Sequence, residues 1–501
     1  MAASLHTSLL NNLGQIRETF GNSTDIVIRE LRIGGGRLAA IIFADGLVDD
    51  KIVNEFIIES LLQRFHPQND DERSQDIIQA LKESLLVSAN IRDIADFERL
   101  YDAVLTANIV ILLDGLAHGI AVEAPGWKDR AVSEPVSESV IRGPQEAFTE
   151  TLRTNTALIR RKIKNPNLWL ETKPVGRMTK TDIGIMYIKG LANDGIIEEV
   201  RKRLDRIKID GILESGYIEE LIQDEPYSPF PTVYNSERPD VIAAELLEGK
   251  VAILVDGTPF VLVVPALLVS FLHASEDYYH RADISSLVRI LRYIGIFIAL
   301  LAPSLYVAIT TYHQEMLPTA LLLSLAAQRE GIPFPAFIEA LMMEIAFEIL
   351  REAGLRMPRV VGPAVSIVGT LVIGQAAVEA GVVSAAMVIV VSVTAICSLA
   401  FPSYSLVNSI RMLRFPLMVV AATFGLFGII IGLIALVLHL SSLRTFGIPY
   451  MSPFAPLIPS DQKDALIRLP HWALFSRPRL INQNNVIRED TGPPVKPKQR
   501  S

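Results

Sequence analysis

Four apolar runs in the C-terminal half constrain this chain more than any other feature: residues 293–310, 360–378, 380–401 and 416–438. About 20 apolar residues cross the ~30 Å of hydrocarbon in a bilayer, and each run is close to that length. The second and third adjoin. As one helix, 360–401 would extend about 63 Å at ~1.5 Å per residue, far beyond one crossing. The chain must therefore turn near Glu379-Ala380-Gly381, where a charge and a glycine favour a bend. Residues 1–285, by contrast, carry charges throughout. These patterns predict an α+β N-terminal domain of two subdomains, followed by an all-α polytopic transmembrane domain.

The expected divisions are an arm (1–24), two α/β subdomains (25–125 and 126–285), the transmembrane domain (286–440) and a polar, proline-rich tail (441–501) whose end is disordered. In the first subdomain, 37–46 reads as a strand ending in a turn, and 51–65 and 91–104 have helical spacing. NIVILLDGLAHGIAVE (108–123) reads as two strands about an Asp-Gly turn. In the second, 145–163 and 194–207 read as helices and 167–173 and 182–188 as strands. VAILVDGTPFVLVV (251–264) could pass for a span, but its central Asp256-Gly257-Thr258-Pro259 favours a hairpin.

PFPAFIEALMMEIAFEILREAGLRMP (333–358) combines apolar residues with Glu339, Glu344, Glu348 and Glu352. On a wheel of about 100° per residue, Glu344, Glu348, Arg351 and Glu352 share a stripe about 100° wide, whereas Glu339 falls nearly opposite. The rest of helix 335–353 is apolar, the reverse of a solvated surface helix. The stripe fits an interfacial amphipathic helix, an inter-helix salt-bridge network, a contact between subunits, or a re-entrant segment lining a water-filled ion path. Gln375 and Glu379 join it only if they lie deep in the membrane; at a hairpin tip they are solvated.

Small residues at intervals of four, Gly362, Ser366, Thr370 and Gly374, and again Gly428 and Gly432, form stripes that let helices approach closely. Pro303 removes a backbone donor inside the first span and gives either a static kink or a hinge. Arg289 and Arg292 precede that span, as expected for a cytoplasmic N-terminal domain. With four crossings, however, Arg351, Arg356, Arg359, Arg411 and Arg414 would fall on the outer side, and a fifth or sixth crossing within 317–350 would change this. MAASLHTSLLNNLGQIRETF lacks the basic and apolar regions of a secretory signal, which also favours a cytoplasmic start.

Catalysis finds little support. No GxSxG, HExxH or complete phosphate loop occurs. Cys397, the single cysteine, excludes an intrachain disulfide and thiolate metal sites. With net charge −8 and no basic block interleaved with aromatics, nucleic acid is not an expected partner. No enzyme activity, metal or cofactor is expected.

Several stretches together resemble one family. They are EPVSESVIRGPQEAFTETLRTNTALIRRKIK (134–164), SERPD (236–240), LLEGKVAILVDGTPFVLVVP (246–265), RYIGIFIALLAPSLYVAITTYH (292–313), GPAVSIVGTLVIGQAAVEAGVVS (362–384) and FGIPYMSPFAP (446–456), with the acidic helix. In order, from about residue 22 to 475, they resemble the A subunits of the GerA-type spore germinant receptors of endospore-forming bacteria. The resemblance implies a multi-pass protein of the spore inner membrane with a cytoplasmic N-terminal domain of two subdomains. It implies a homo-oligomer acting with a multi-span B subunit and a lipoprotein C subunit. Such receptors respond to small nutrients, which the partner can bind, and release ions such as monovalent cations. The expected function is a nutrient-gated ion path that triggers germination; the alternatives are a secondary transporter of amino acids or cations, or a non-conducting signalling scaffold.

Overall fold

Strands that are apolar on both faces become the middle of sheets, and this chain builds two such sheets. The computed structural model describes residues 3–33, 36–64, 79, 82, 90–126, 134–135, 138–356, 374–482 and 485–493. The chain divides into two compact units. One comprises Met1–Gln223, Val233–Pro265 and Phe475–Asp490; the other comprises Asp224–Thr232, Ala266–Leu474 and Thr491–Ser501.

The first unit opens with α1 (Leu9–Thr19), β1 (Ile26–Arg32) and β2 (Leu38–Ala44). After them come β3 (Ile91–Ile94), α2 (Phe97–Leu105), β4 (Asn108–Leu113) and β5 (Gly119–Glu123). The strands form an antiparallel sheet in the order β1-β2-β4-β5-β3. Strand alternation sends Ala40, Ile42 and Ala44 of β2 toward α1 and α2. Ala39, Ile41 and Phe43 face the other way, toward Val53, Ile57 and Leu61 of a helical stretch. The segment expected as one helix over 91–104 instead begins as edge strand β3. Asp96 marks the change, its carboxylate accepting the Arg99 amide at 2.8 Å as an N-cap. Ile91 and Ile94 satisfy either periodicity over so few residues.

The second sheet has the order β6-β7-β9-β10-β8, from β6 (Leu168–Val175), β7 (Thr181–Ile188), β8 (Tyr234–Ser236), β9 (Val251–Val255) and β10 (Val261–Val264). β9 and β10 form the expected hairpin, with Val251 opposite Val264 and Gly257 at φ +94° in the turn. The helices are α3 (Leu152–Lys162), α4 (Asp194–Asp205), α5 (Ser215–Ile222) and α6 (Pro239–Leu247). α3 starts later than its pattern predicts, at the point where Asp256 of the hairpin turn accepts the Leu152 amide at 2.8 Å. The basic run at its end is not a solvated patch. Arg160 is buried and bonds Asp25 at 2.6 and 2.8 Å, while Arg161 and Lys162 approach Glu146 at 3.5 and 3.3 Å.

The second unit is helical: α7 (Ala282–Tyr312), α8 (Thr319–Arg329), α9 (Ala336–Arg356), α10 (Ala385–Leu399) and α11 (Tyr404–Ser442). α7 and α11 are long and apolar enough to cross a membrane by length and composition. Phe297, Ile389, Ile396, Phe424, Phe427, Ile430, Ile434 and Leu438 are all exposed, a broad apolar surface.

α11 is not the single span expected over 416–438. Gly425 adopts φ +61°, ψ −144°, and the chain reverses there. A methyl group on Gly428 would lie 2.5 Å from the Val420 carbonyl, and one on Gly432 2.6 Å from Leu417. In a straight helix, residues 417 and 432 would be about 22 Å apart. The limbs 404–424 and 426–442 therefore form an antiparallel hairpin, and the Gly428–Gly432 pair seats one limb on the other within this chain.

The turn marks one end of the bundle, here called the tip, because His313, just after α7, lies against Gly425. The start of α7 defines the base. α9 runs from tip to base, with Glu339 beside Ser384 and Arg351 beside Tyr404. α10 runs the same way, its end bringing Cys397 and Phe401 near Gly295. After α11 the described residues 443–482 and 485–493 pack rather than trail, and 494–501, at the end expected to be disordered, lie outside the described residues. Tyr450 is buried against Phe271, and 475–490 belongs to the first unit through contacts such as Arg488 with Glu248 at 3.2 Å.

Candidate functional site

Inside the helical unit, α9 turns its acidic stripe toward the first limb of α11. Glu344 is 0 % exposed and accepts Arg414 Nη1 at 2.5 Å. Arg414, 1 % exposed, also donates from Nη2 to Ser398 of α10 at 3.1 Å, and from Nε to the Ala299 carbonyl of α7 at 2.8 Å. One guanidinium thus joins four helices midway along the bundle. The Ala299 carbonyl is open to it for a covalent reason. In a regular helix that oxygen would accept the amide of residue 303, and Pro303 has none. Pro303 thereby creates an acceptor for Arg414 within a continuous α7.

One turn nearer the base, Glu348 accepts Arg411 Nε at 2.7 Å and lies 3.6 Å from Arg351. Arg351 also stacks over Tyr404 at 5.8 Å. Toward the tip, buried Glu339 accepts the Ser384 amide at 2.6 Å and the Ser384 hydroxyl, capping α10. Tyr306 lies 3.3 Å from the same hydroxyl. Glu344 and Glu348 thus form a charged seam facing the first limb of α11, while Glu339, on the opposite side of α9, is buried against the start of α10. Burial makes each charge costly unless paired, and Arg414 and Arg411 supply opposite charge for two of the three. Glu339 Oε2 and Glu344 Oε1 each have no hydrogen-bond partner among the described residues.

Of the residues singled out from sequence, Glu344, Glu348 and Arg351 come together in this seam. Glu352 does not; it is exposed and pairs with Arg356 at 2.7 Å. Gln375 and Glu379 are exposed and bond one another at 2.8 Å. Gly374 is helical and makes only an ordinary contact with Val388. Gly362, Ser366 and Thr370 lie outside the described residues. The sequence reading did not single out Ser384 and counted Arg411 and Arg414 only as charges beside a span; Glu339 lies opposite the stripe, as the wheel has it, and is buried against Ser384. Two arginines three residues apart, next to an apolar run, were the available signal for partners of Glu344 and Glu348.

A second charged cluster sits at the base. Arg289 and Arg292, which precede the first expected span, are buried and paired. Arg292 meets Asp277 at 3.0 and 3.2 Å, and Arg289 meets Asp464 at 2.9 Å.

An α+β region followed by a bundle of apolar helices, two of them long and apolar enough to cross a membrane, defines the class of protein. The family model described as the Bacillus/Clostridium GerA spore germination protein matches residues 14–480, and the chain belongs to that family. It is 49% identical to spore germination protein KA of Bacillus subtilis (strain 168), over 96% of this chain and 88% of that one. It is 38% identical to spore germination protein GerLA of Bacillus cereus, over 99% of each chain. A crystal structure of the N-terminal domain of the A subunit of the Bacillus megaterium spore germinant receptor GerK3 is 41% identical, with a TM-score of 0.43. The match covers 54% of this chain and 98% of that one.

Proposed function

We propose that this chain is a membrane subunit of a nutrient germinant receptor in the spore inner membrane, and that its charged seam gates a nutrient-controlled ion path. The observation that carries this reading is the seam itself: Glu344–Arg414 buried, and Glu348–Arg411 half-buried, between α9 and α11. Paired within one chain, these carboxylates describe a shut arrangement. Separating α9 from the 404–424 limb would admit water to them and leave negative charge facing a path that favours monovalent cations. A nutrient drives this exchange only by binding the open arrangement more tightly than the shut one. The gating step uses no catalytic group and no cofactor.

The path of the chain supports a consistent orientation. α7 rises from base to tip, α9 and α10 descend, and the limbs of α11 rise and descend. With the span expected from sequence near 360–378, that gives six crossings, which return Leu443 to the face where α7 begins. Arg351, Arg356 and Arg411 then share the base with Arg289 and Arg292, removing the conflict left by four crossings. The proposal takes the base as cytoplasmic and with it the large N-terminal unit that precedes α7 in the chain. A second copy of the chain, a B-type multi-span subunit and a C-type lipoprotein subunit complete the proposed receptor, and the B-type partner is a candidate to bind the nutrient. Substrate transport is the weaker reading, since the break at Gly425 lies at the tip and not at the midplane, where broken transporter helices hold cargo.

Conductance across bilayers containing the reconstituted complex tests the proposal. Nutrient-dependent cation current is expected, with its selectivity altered by Glu348→Gln while the complex still assembles. A complex shown to bind its nutrient yet passing no current would overturn the gate, leaving a signalling scaffold.

A further inference from the structure

Two stretches that carried the family resemblance, 134–148 and 236–240, meet in the first unit, remote in sequence from the membrane helices. Glu138 accepts the Ser236 hydroxyl at 2.5 Å, and its amide donates to Glu237 Oε1 at 3.1 Å. Arg238, buried, donates to the Glu138 carbonyl at 3.1 Å, the Pro144 carbonyl at 2.9 Å and the Asp240 carboxylate at 2.9 Å. Phe148, also buried, donates its amide to the Glu237 carbonyl at 2.8 Å. Residues 138–148 contain no helix or strand, so these bonds fasten them as a strap onto the turn between β8 and α6.

We propose that Glu138 is a proton-operated latch: protonated, it holds the 138–148 strap on the 236–240 turn, and on losing its proton it weakens that hold. The geometry sets the carboxyl of half-buried Glu138 against one hydroxyl, with the Glu237 and Asp240 carboxylates nearby. Arg238 bonds the strap from the turn and divides its donors among two carbonyls and Asp240, while Arg161 and Lys162 of α3 approach the strap at Glu146. Tyr234 of β8 and Glu245 of α6, the latter paired with Lys250, complete the charged and titratable surroundings.

Burial raises the Glu138 carboxyl from 4.5 to about 7; Glu237 and Asp240 push the same way, while the Ser236 bond and Arg238 oppose. A released strap has Glu138 in water with its ordinary value near 4.5. Docking is therefore at full strength below about 4.5. It weakens about tenfold per pH unit as pH rises from about 4.5 to about 7, and is constant above.

Hydrogen–deuterium exchange on the full-length protein in nanodiscs, corrected for intrinsic rates from pH 5.5 to 8, reads this directly. Protection over 138–148 is expected to fall about tenfold per unit up to about pH 7, while β9 and β10 stay protected. Glu138→Gln should flatten the profile, and Glu237→Gln should move its upper limit to lower pH. A flat wild-type profile, or an unchanged slope in Glu138→Gln, overturns the latch. Should Glu138→Gln also expose β9 and β10, the Glu237→Gln shift decides alone: a lower limit supports the latch, and an unmoved one overturns it.

Discussion

Arg414 is worth more to the bundle than any single contact it makes, because its three bonds end on three other helices. Truncating one member of a buried pair strands the other charge, at a cost of about 3–5 kcal/mol. Glu344→Ala and Arg414→Ala should each lower the unfolding midpoint in detergent strongly. The double variant should lose less than the two combined, a coupling of about 1–3 kcal/mol. Additive losses would show that the pair does not act as a unit. Pro303→Ala tests a different link. It returns an amide donor to Ala299 and loosens Arg414 from α7, so we expect unchanged or higher thermal stability with germination at lower nutrient concentration. A stability loss with no change in nutrient response would mean that Pro303 serves packing alone. The carboxylates of the seam were legible in sequence because Glu344, Glu348 and Arg351 share a face. Their partners were not, since a helical wheel shows which residues lie together and not which helix they meet. Glu339 shows the limit most clearly: it stood opposite the stripe and proved buried too, because α9 packs on more than one side.

Among elements, the hairpin in α11 depends on one residue. Gly425 has φ +61°, and a Cβ there would lie 2.8 Å from the His313 ring. Gly425→Ala is expected to cost at least ~1 kcal/mol from the backbone, with the clash in addition. Detergent unfolding should show the loss. An unchanged midpoint would mean that the turn accommodates a side chain. Sequence showed the 416–438 run as apolar and long, yet a glycine among Phe, Leu and Ile does not reveal its φ. Hairpins with polar turns were easier to read. Asp256-Gly257 between valine-rich runs announced β9 and β10, whereas Asp96, which ends β3 and caps α2, was concealed inside a spacing that satisfied both helix and strand.

At the level of the whole molecule, residues 475–490 return to the first unit, where Arg477 donates to the Leu247 carbonyl at 2.8 Å and Arg488 meets Glu248 at 3.2 Å. Ending the chain after residue 474 should remove about 1–2 kcal/mol of support from the end of α6. Faster hydrogen exchange over residues 239–249 in the otherwise intact protein would register this, and unaltered exchange would show that the return segment contributes nothing there. Composition revealed the division between charged and apolar halves, but this return was not legible, because a proline-rich polar segment reads alike whether docked or free. It also sets an order of assembly. Everything from Ala266 to Leu474 is made between β10 and the last piece of the unit to which β10 belongs. On a ribosome that unit emerges almost whole and then waits, its final piece still unsynthesised, while the helices of the second unit are translated.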